Sequence, residues 1–176
     1  MSTTTRRSYF VHPESAVIAL EYPQKLEQLP LFARFLATIG YEERDFQSAL
    51  VWFSSWGVWP SFSESPGYRI VELMNAGAGQ TKSFLLAPGH AFRADELVDS
   101  VGMLLQPMVF AWDSFYLPTW SFGREEFFLH VSHDSTVEVV TRTKAFHDRV
   151  FQLLEENNYN PRTGAAPRTK HFCRKS

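Results

Sequence analysis

Cysteine occurs once in 176 residues, as Cys173, so no intramolecular disulfide can form and a disulfide-stapled scaffold is excluded. Long apolar runs are missing as well. No segment approaches the roughly 20 residues that span a bilayer, and the N-terminal MSTTTRRSYF lacks the apolar centre of a secretory leader. Together these absences lead us to expect a cytoplasmic protein without a membrane role. Glycine-rich phosphate loops are absent too: Gly77-Ala78-Gly79 has no Gly-Lys-Ser/Thr after it and closes a helical pattern instead of opening one. No Gly-x-Ser-x-Gly elbow and no His-Glu-x-x-His or Cys-x-x-Cys spacing appears, so the sequence implies no metal and no cofactor.

Basic residues are scarce in the body of the chain. The stretches 1–7 and 162–176 hold Arg6, Arg7, Arg162, Arg168, Lys170, Arg174 and Lys175 and no acid. The remainder carries 10 basic residues against 19 acidic ones, a formal charge of −9, although the whole chain is only at −2. Phosphate contact needs a basic face, so nucleic acid is an unlikely partner for the body and conceivable only through the basic tail. A protein partner is compatible with this balance.

What the chain has in quantity is aromatic side chains, 15% of residues with 16 phenylalanines. A phenylalanine-rich core accounts for most of them. Trp52, Trp56 and Trp59 form a cluster that could line a pocket or a contact surface, where indoles act as anchors.

Periodicity organises the chain as one α+β domain over 8–161, with 1–7 and 162–176 as flexible basic tails. Tyr9–Val11 and Ala16–Leu20 read as short edge strands. Leu26, Leu29, Phe32, Leu36 and Ile39 recur at helical spacing, with Pro30 starting or kinking the helix and Gly40 as its C-terminal cap. Ala49–Phe53 reads as a buried strand. A helix follows from about Pro66 with Ile70, Val71 and Met74 inward, then a strand at Ser83–Ala87. The clearest helix runs from about Asp95 to Trp112, bent late by Pro107. Ser114–Leu117, Phe127–Val131 and Thr136–Arg142 read as strands, the last two joined by the turn Ser132–Ser135. A final helix begins near Lys144. The late meander requires antiparallel pairing, so a mostly antiparallel sheet with about four helices is expected.

Three polar positions stand out for chemistry. His90 follows Pro88-Gly89 at what reads as a strand-to-helix junction, where glycine permits positive φ or close backbone approach and a helix N-terminus could hold an anion. His133 and Asp134 lie in a turn, where Ser132 and Asp134 are also good turn formers. His130 precedes them on a strand, three residues from His133, so the two histidines face opposite ways unless the turn redirects one. His90, His133 and Asp134 are the catalytic candidates; with Trp56 and Trp59 they form the expected binding set.

The succession W-G-V-W-P (Trp56–Pro60), A-P-G-H-x-F (Ala87–Phe92), Trp112-Asp113 and S-H-D (Ser132–Asp134) resembles a group of uncharacterised bacterial proteins. The resemblance covers about residues 50 to 140 and departs at Pro107 and at Gly123–Glu126. It implies a shared fold and site and carries no activity. Two functions therefore stay open: a non-catalytic interaction module of the immunity or antitoxin kind, and a small hydrolase or ligand-binding protein with a His/Asp site beside an aromatic pocket. Convergence of His90, His133 and Asp134 in one concavity would favour the second; a flat exposed aromatic patch would favour the first.

Overall fold

The computed structural model describes residues 16–55, 73, 76, 89–121 and 127–163. Their fold is α+β, built on one antiparallel sheet of seven strands, β1 (Ala16–Glu21), β2 (Phe46–Ser55), β3 (Gly89–Arg93), β4 (Asp113–Trp120), β5 (Phe127–Ser132), β6 (Thr136–Thr141) and β7 (Arg162–Thr163), in the order β3-β2-β4-β5-β6-β1-β7. Three α-helices accompany it among the described residues: α1 (Leu29–Ala37), α2 (Leu97–Phe110) and α3 (Lys144–Glu156). Leu73 and Ala76 are also helical, within the expected helix after Pro66. None of the described helices is long and apolar enough to cross a membrane.

Local chemistry explains the helix ends. Pro30 occupies the first turn of α1, where its missing N–H has no partner to lose, so it begins the helix without kinking it. Past the end of that helix Gly40 takes φ +79°, and a Cβ there would stand 3.1 Å from the Phe146 ring. Thr143 caps α3, its hydroxyl accepting from the Phe146 N–H at 3.2 Å. Helix α2 continues three residues beyond Pro107 and stops at Ala111 in the left-handed region (φ 52°), with the Trp112 N–H bonded to the Pro107 carbonyl.

Alternation along the strands separates two faces. Ile18, Leu20, Val51, Phe53, Tyr116, Leu129, Val131, Val137 and Val139 form one buried cluster with Phe32 and Leu36 of α1, Met103 and Leu104 of α2, and Phe146, Val150 and Leu154 of α3. At one end of this core Tyr41 stacks on Trp120, centroids 4.7 Å apart, and neighbours Phe127 and Phe146. The phenylalanine excess is largely core, as expected.

Several expectations change. Ala16–Leu20 is not an edge strand: β1 lies between β6 and β7. Arg162 and Thr163, read as the start of a basic tail, pair with Ala19 and Ile18 as β7, so the sheet runs two residues beyond the expected boundary at 161. Periodicity cannot show such a strand, because the pairing uses only unpaired backbone groups of β1. Tyr9–Val11 and Ser83–Ala87 lie outside the described residues.

Candidate functional site

The opposite face of the sheet has no described helix against it. Register carries a single row of residues across all seven strands there: Gly89, Trp52, Phe115, His130, Glu138, Ala19 and Arg162. Trp52 is 45% exposed and its neighbour on the same face, Leu50, 36%. The indole lies across Gly89: a Cβ at that position would stand 2.5 Å from Cε3 of Trp52. The glycine thus serves close approach, one of the two roles expected of it, and supplies the shelf on which the ring rests. Phe115 and His130 stack at 4.8 Å with their planes 21° apart, and Phe128 meets Phe115 edge-on at 6.2 Å. His130 Nδ1 lies 3.1 Å from Oε2 of Glu138. That hydrogen bond holds the Glu138 carboxyl below the usual glutamate range, against the opposing effect of partial burial. Farther along this face the surface closes over: Val17 and Val140 are buried, yet stand apart from the main core cluster.

A second polar group sits at the start of β4. His133 leaves β5 at the turn, and Oδ1 of Asp113 accepts from its backbone N–H at 2.8 Å and contacts its Nδ1 at 2.9 Å. On the other side of the ring Nε2 is 3.3 Å from Asp134 Oδ1. Ser135 takes φ 61° to close the turn. Tyr22 donates its hydroxyl to the Ser132 carbonyl at 2.7 Å, and burial, aided by the Asp113 charge, pushes its phenol far above the usual range, so it stays a donor. The two carboxylates occupy opposite nitrogens of one imidazole and do not converge on a common point. Among the described residues no group of three or more His, Cys, Asp or Glu side chains is arranged to hold a metal.

Of the expected site residues, His133 and Asp134 are brought together. His90 is elsewhere. It lies inside β3, seven residues before α2 begins, and not at a strand-to-helix junction. Its side chain is buried on the helix-covered face, edge-on to Phe53 at 6.4 Å, in the row that continues through Val51 and Tyr116. Burial lowers its pKa from the ordinary value. Trp56 and Trp59 lie outside the described residues. His130 and His133 do not converge; each takes its own carboxylate.

Sequence reasoning missed Asp113 and Glu138 as partners. For Glu138 the turn as read falls one residue short: Ser132–Ser135 would set His130 opposite Val137, whereas the pairing of Ser132 with Thr136 sets it opposite Glu138. Nothing in the spacing ties Asp113 to a histidine twenty residues away.

No protein family, curated protein or solved structure matches this chain.

Proposed function

We propose that this protein is a non-catalytic interaction module, of the immunity or antitoxin kind, that binds a protein partner through the open face of its sheet. One observation carries the reading: Trp52 and Leu50 stand side by side, exposed on the face opposite α1, α2 and α3, at the head of an aromatic row. A large indole held flat on a neighbouring strand loses little side-chain entropy on binding, which is why such residues dominate contact energetics. The separation of His90 from His133 and Asp134 also speaks for binding over catalysis, because an acid–base centre needs convergent groups. A peptide-display selection against the intact protein, run in parallel against Trp52→Ser, tests the reading. Loss of the enriched sequences on the variant, with its melting temperature kept, is the expected result. The same sequences enriched on both proteins would sink it.

The 2.9 Å contact between Asp113 and His133 favours a second reading, a small hydrolase or ligand-binding protein, because a carboxylate on Nδ1 orients an imidazole as a base. Turnover of a simple ester or phosphate substrate, abolished by His133→Gln, would establish it.

A further inference from the structure

We propose that the open face receives an extended basic segment of a partner protein, with an apolar residue seated against Trp52 and an arginine or lysine about four residues away over Glu138. This rests on the open face being the binding surface and adds the chemistry of what binds.

The spacing comes from the register. Trp52, Phe115, His130 and Glu138 occupy adjacent positions on β2, β4, β5 and β6. Three inter-strand steps of about 4.8 Å separate the indole from the carboxylate by about 14 Å, and an extended chain covers that in about four residues. Between the two ends the stacked rings of Phe115 and His130 make a flat aromatic ledge. A segment lying across the strands therefore meets an apolar stop at one end, a planar floor, and an anion at the other.

Charge decides the sign of the partner. Glu138 is 38% exposed, and only its Oε2 is engaged by His130. Hydrogen bonding by His130 keeps this carboxyl ionised, so its second oxygen can accept from an incoming cation. Two further acids flank the row on the same face: Asp113, two residues along β4 from Phe115, and Glu21, two residues along β1 from Ala19. Among the described residues, two arginines at the margins of this face meet carboxylates. Arg162 is 3.3 Å from Glu21, and Arg93 is 3.6 Å from both Asp95 and Glu96. The aromatic ledge alone would also suit stacked bases, but a phosphate backbone would have to pass Glu138, and the body carries −9. A basic peptide satisfies both the ledge and the anion; a nucleic acid satisfies only the ledge.

The test uses the full chain and short fluorescein-labelled peptides in a Ser/Gly background. One contains Leu-x-x-x-Arg, a second Leu-x-x-x-Ser, a third Leu-x-x-x-Asp, and anisotropy reports affinity. The arginine peptide should bind wild type about three- to fivefold more tightly than the serine peptide, the range of a partly exposed ion pair. That advantage should vanish in Glu138→Gln and in about 0.5 M salt. In Glu138→Lys the aspartate peptide should become the preferred one, a rescue that a merely unfolded variant could not show. Equal, Trp52-dependent binding of the arginine and serine peptides would overturn this inference and leave the interaction reading standing. Binding of none of the peptides would overturn the inference too, and the display selection would judge the interaction reading separately. Tighter binding of a thymidine oligonucleotide would replace the peptide by nucleic acid. A gain in arginine-peptide affinity on deleting residues 164–176 would make the chain's own basic segment the occupant and refute an external partner.

Discussion

Residue by residue, the polar side chains of this protein do different work from their neighbours in sequence. Asp113 accepts two contacts from His133 and ties the β5–β6 turn to the start of β4. Asp113→Ala should cost about 0.5–1.5 kcal/mol, the net contribution of a hydrogen bond whose donor lies at an exposed turn. Asp134→Ala, on the exposed side of the ring, should cost well under that, and chemical denaturation of the two variants compares them. His90 behaves oppositely to a charged ligand. Burial lowers its pKa below the ordinary 6.5, so below that pH the unfolded chain binds more protons than the folded one. Its contribution is constant above about pH 6.5 and erodes as pH falls from there toward the lowered folded value. Glu138, with a lowered carboxyl pKa, adds an acid-labile contribution that is complete above about 4.5 and fades only below it. The stability of wild type relative to His90→Leu, read from denaturant midpoints, should therefore fall between pH about 7.5 and pH about 5.5. A gap independent of pH would remove His90 as the titrating group. Gly89→Ala is the sharpest probe of the open face. Its Cβ collides with the Trp52 ring, so the variant should lose about 1–3 kcal/mol and expose the indole further, readable as a red-shifted emission relative to a Trp52→Phe control.

Among the elements, α2 shows how much an apolar pattern says and where it stops. Its stripe of Leu97, Val101, Leu104, Leu105 and Met108 announces a core helix, and Leu104 is fully buried while Leu105 is only partly so. Leu104→Ala should cost about 2–5 kcal/mol and Leu105→Ala distinctly less, measured by denaturant midpoints. Equal losses would mean that the helix face is misassigned. Gly102 sits inside the same helix with open space where a Cβ would go. Gly102→Ala should raise stability by about 1 kcal/mol through helix propensity alone. Ala111, in the left-handed region at the end of α2, should gain from replacement by glycine by a similar amount. Thermal melts of the two variants, alone and combined, check both, because the sites should act additively. Strands were less readable than this helix. The alternation of Val137 and Val139 with Thr136 and Glu138 indicates one covered face, but Phe115 and Tyr116 are both aromatic and nothing in their order says which one points inward.

For the whole molecule, the sheet order joins distant parts of the chain. β1 pairs with β6, joining segments from Ala16↔Thr141 to Glu21↔Thr136, and β7 closes on β1 from the other end. The C-terminal strand is short and its Arg162–Glu21 pair is exposed, so it adds little. A chain ending at Pro161 should melt only about 2–4 °C below one ending at Thr163, the shift of about 1 kcal/mol in a protein of this size. A drop several times larger would show that β7 anchors more of the sheet than its two residues suggest.

The sequence by itself determined the class of the fold, the position of the late hairpin, the start of α3 and the identity of α2 as the central helix. Each of these rests on patterns local to a few turns or strands: apolar spacing and turn-forming residues. Only tertiary structure decided which face each aromatic serves and which carboxylate each histidine meets. His90 could enter the core and His133 could reach Asp113 because strand order and register bring remote segments together, and register is a property of pairs of strands that no single segment encodes. The row from Gly89 through Trp52 to Glu138 exists for the same reason: five strands contribute one residue each, and backbone hydrogen bonding sets them side by side.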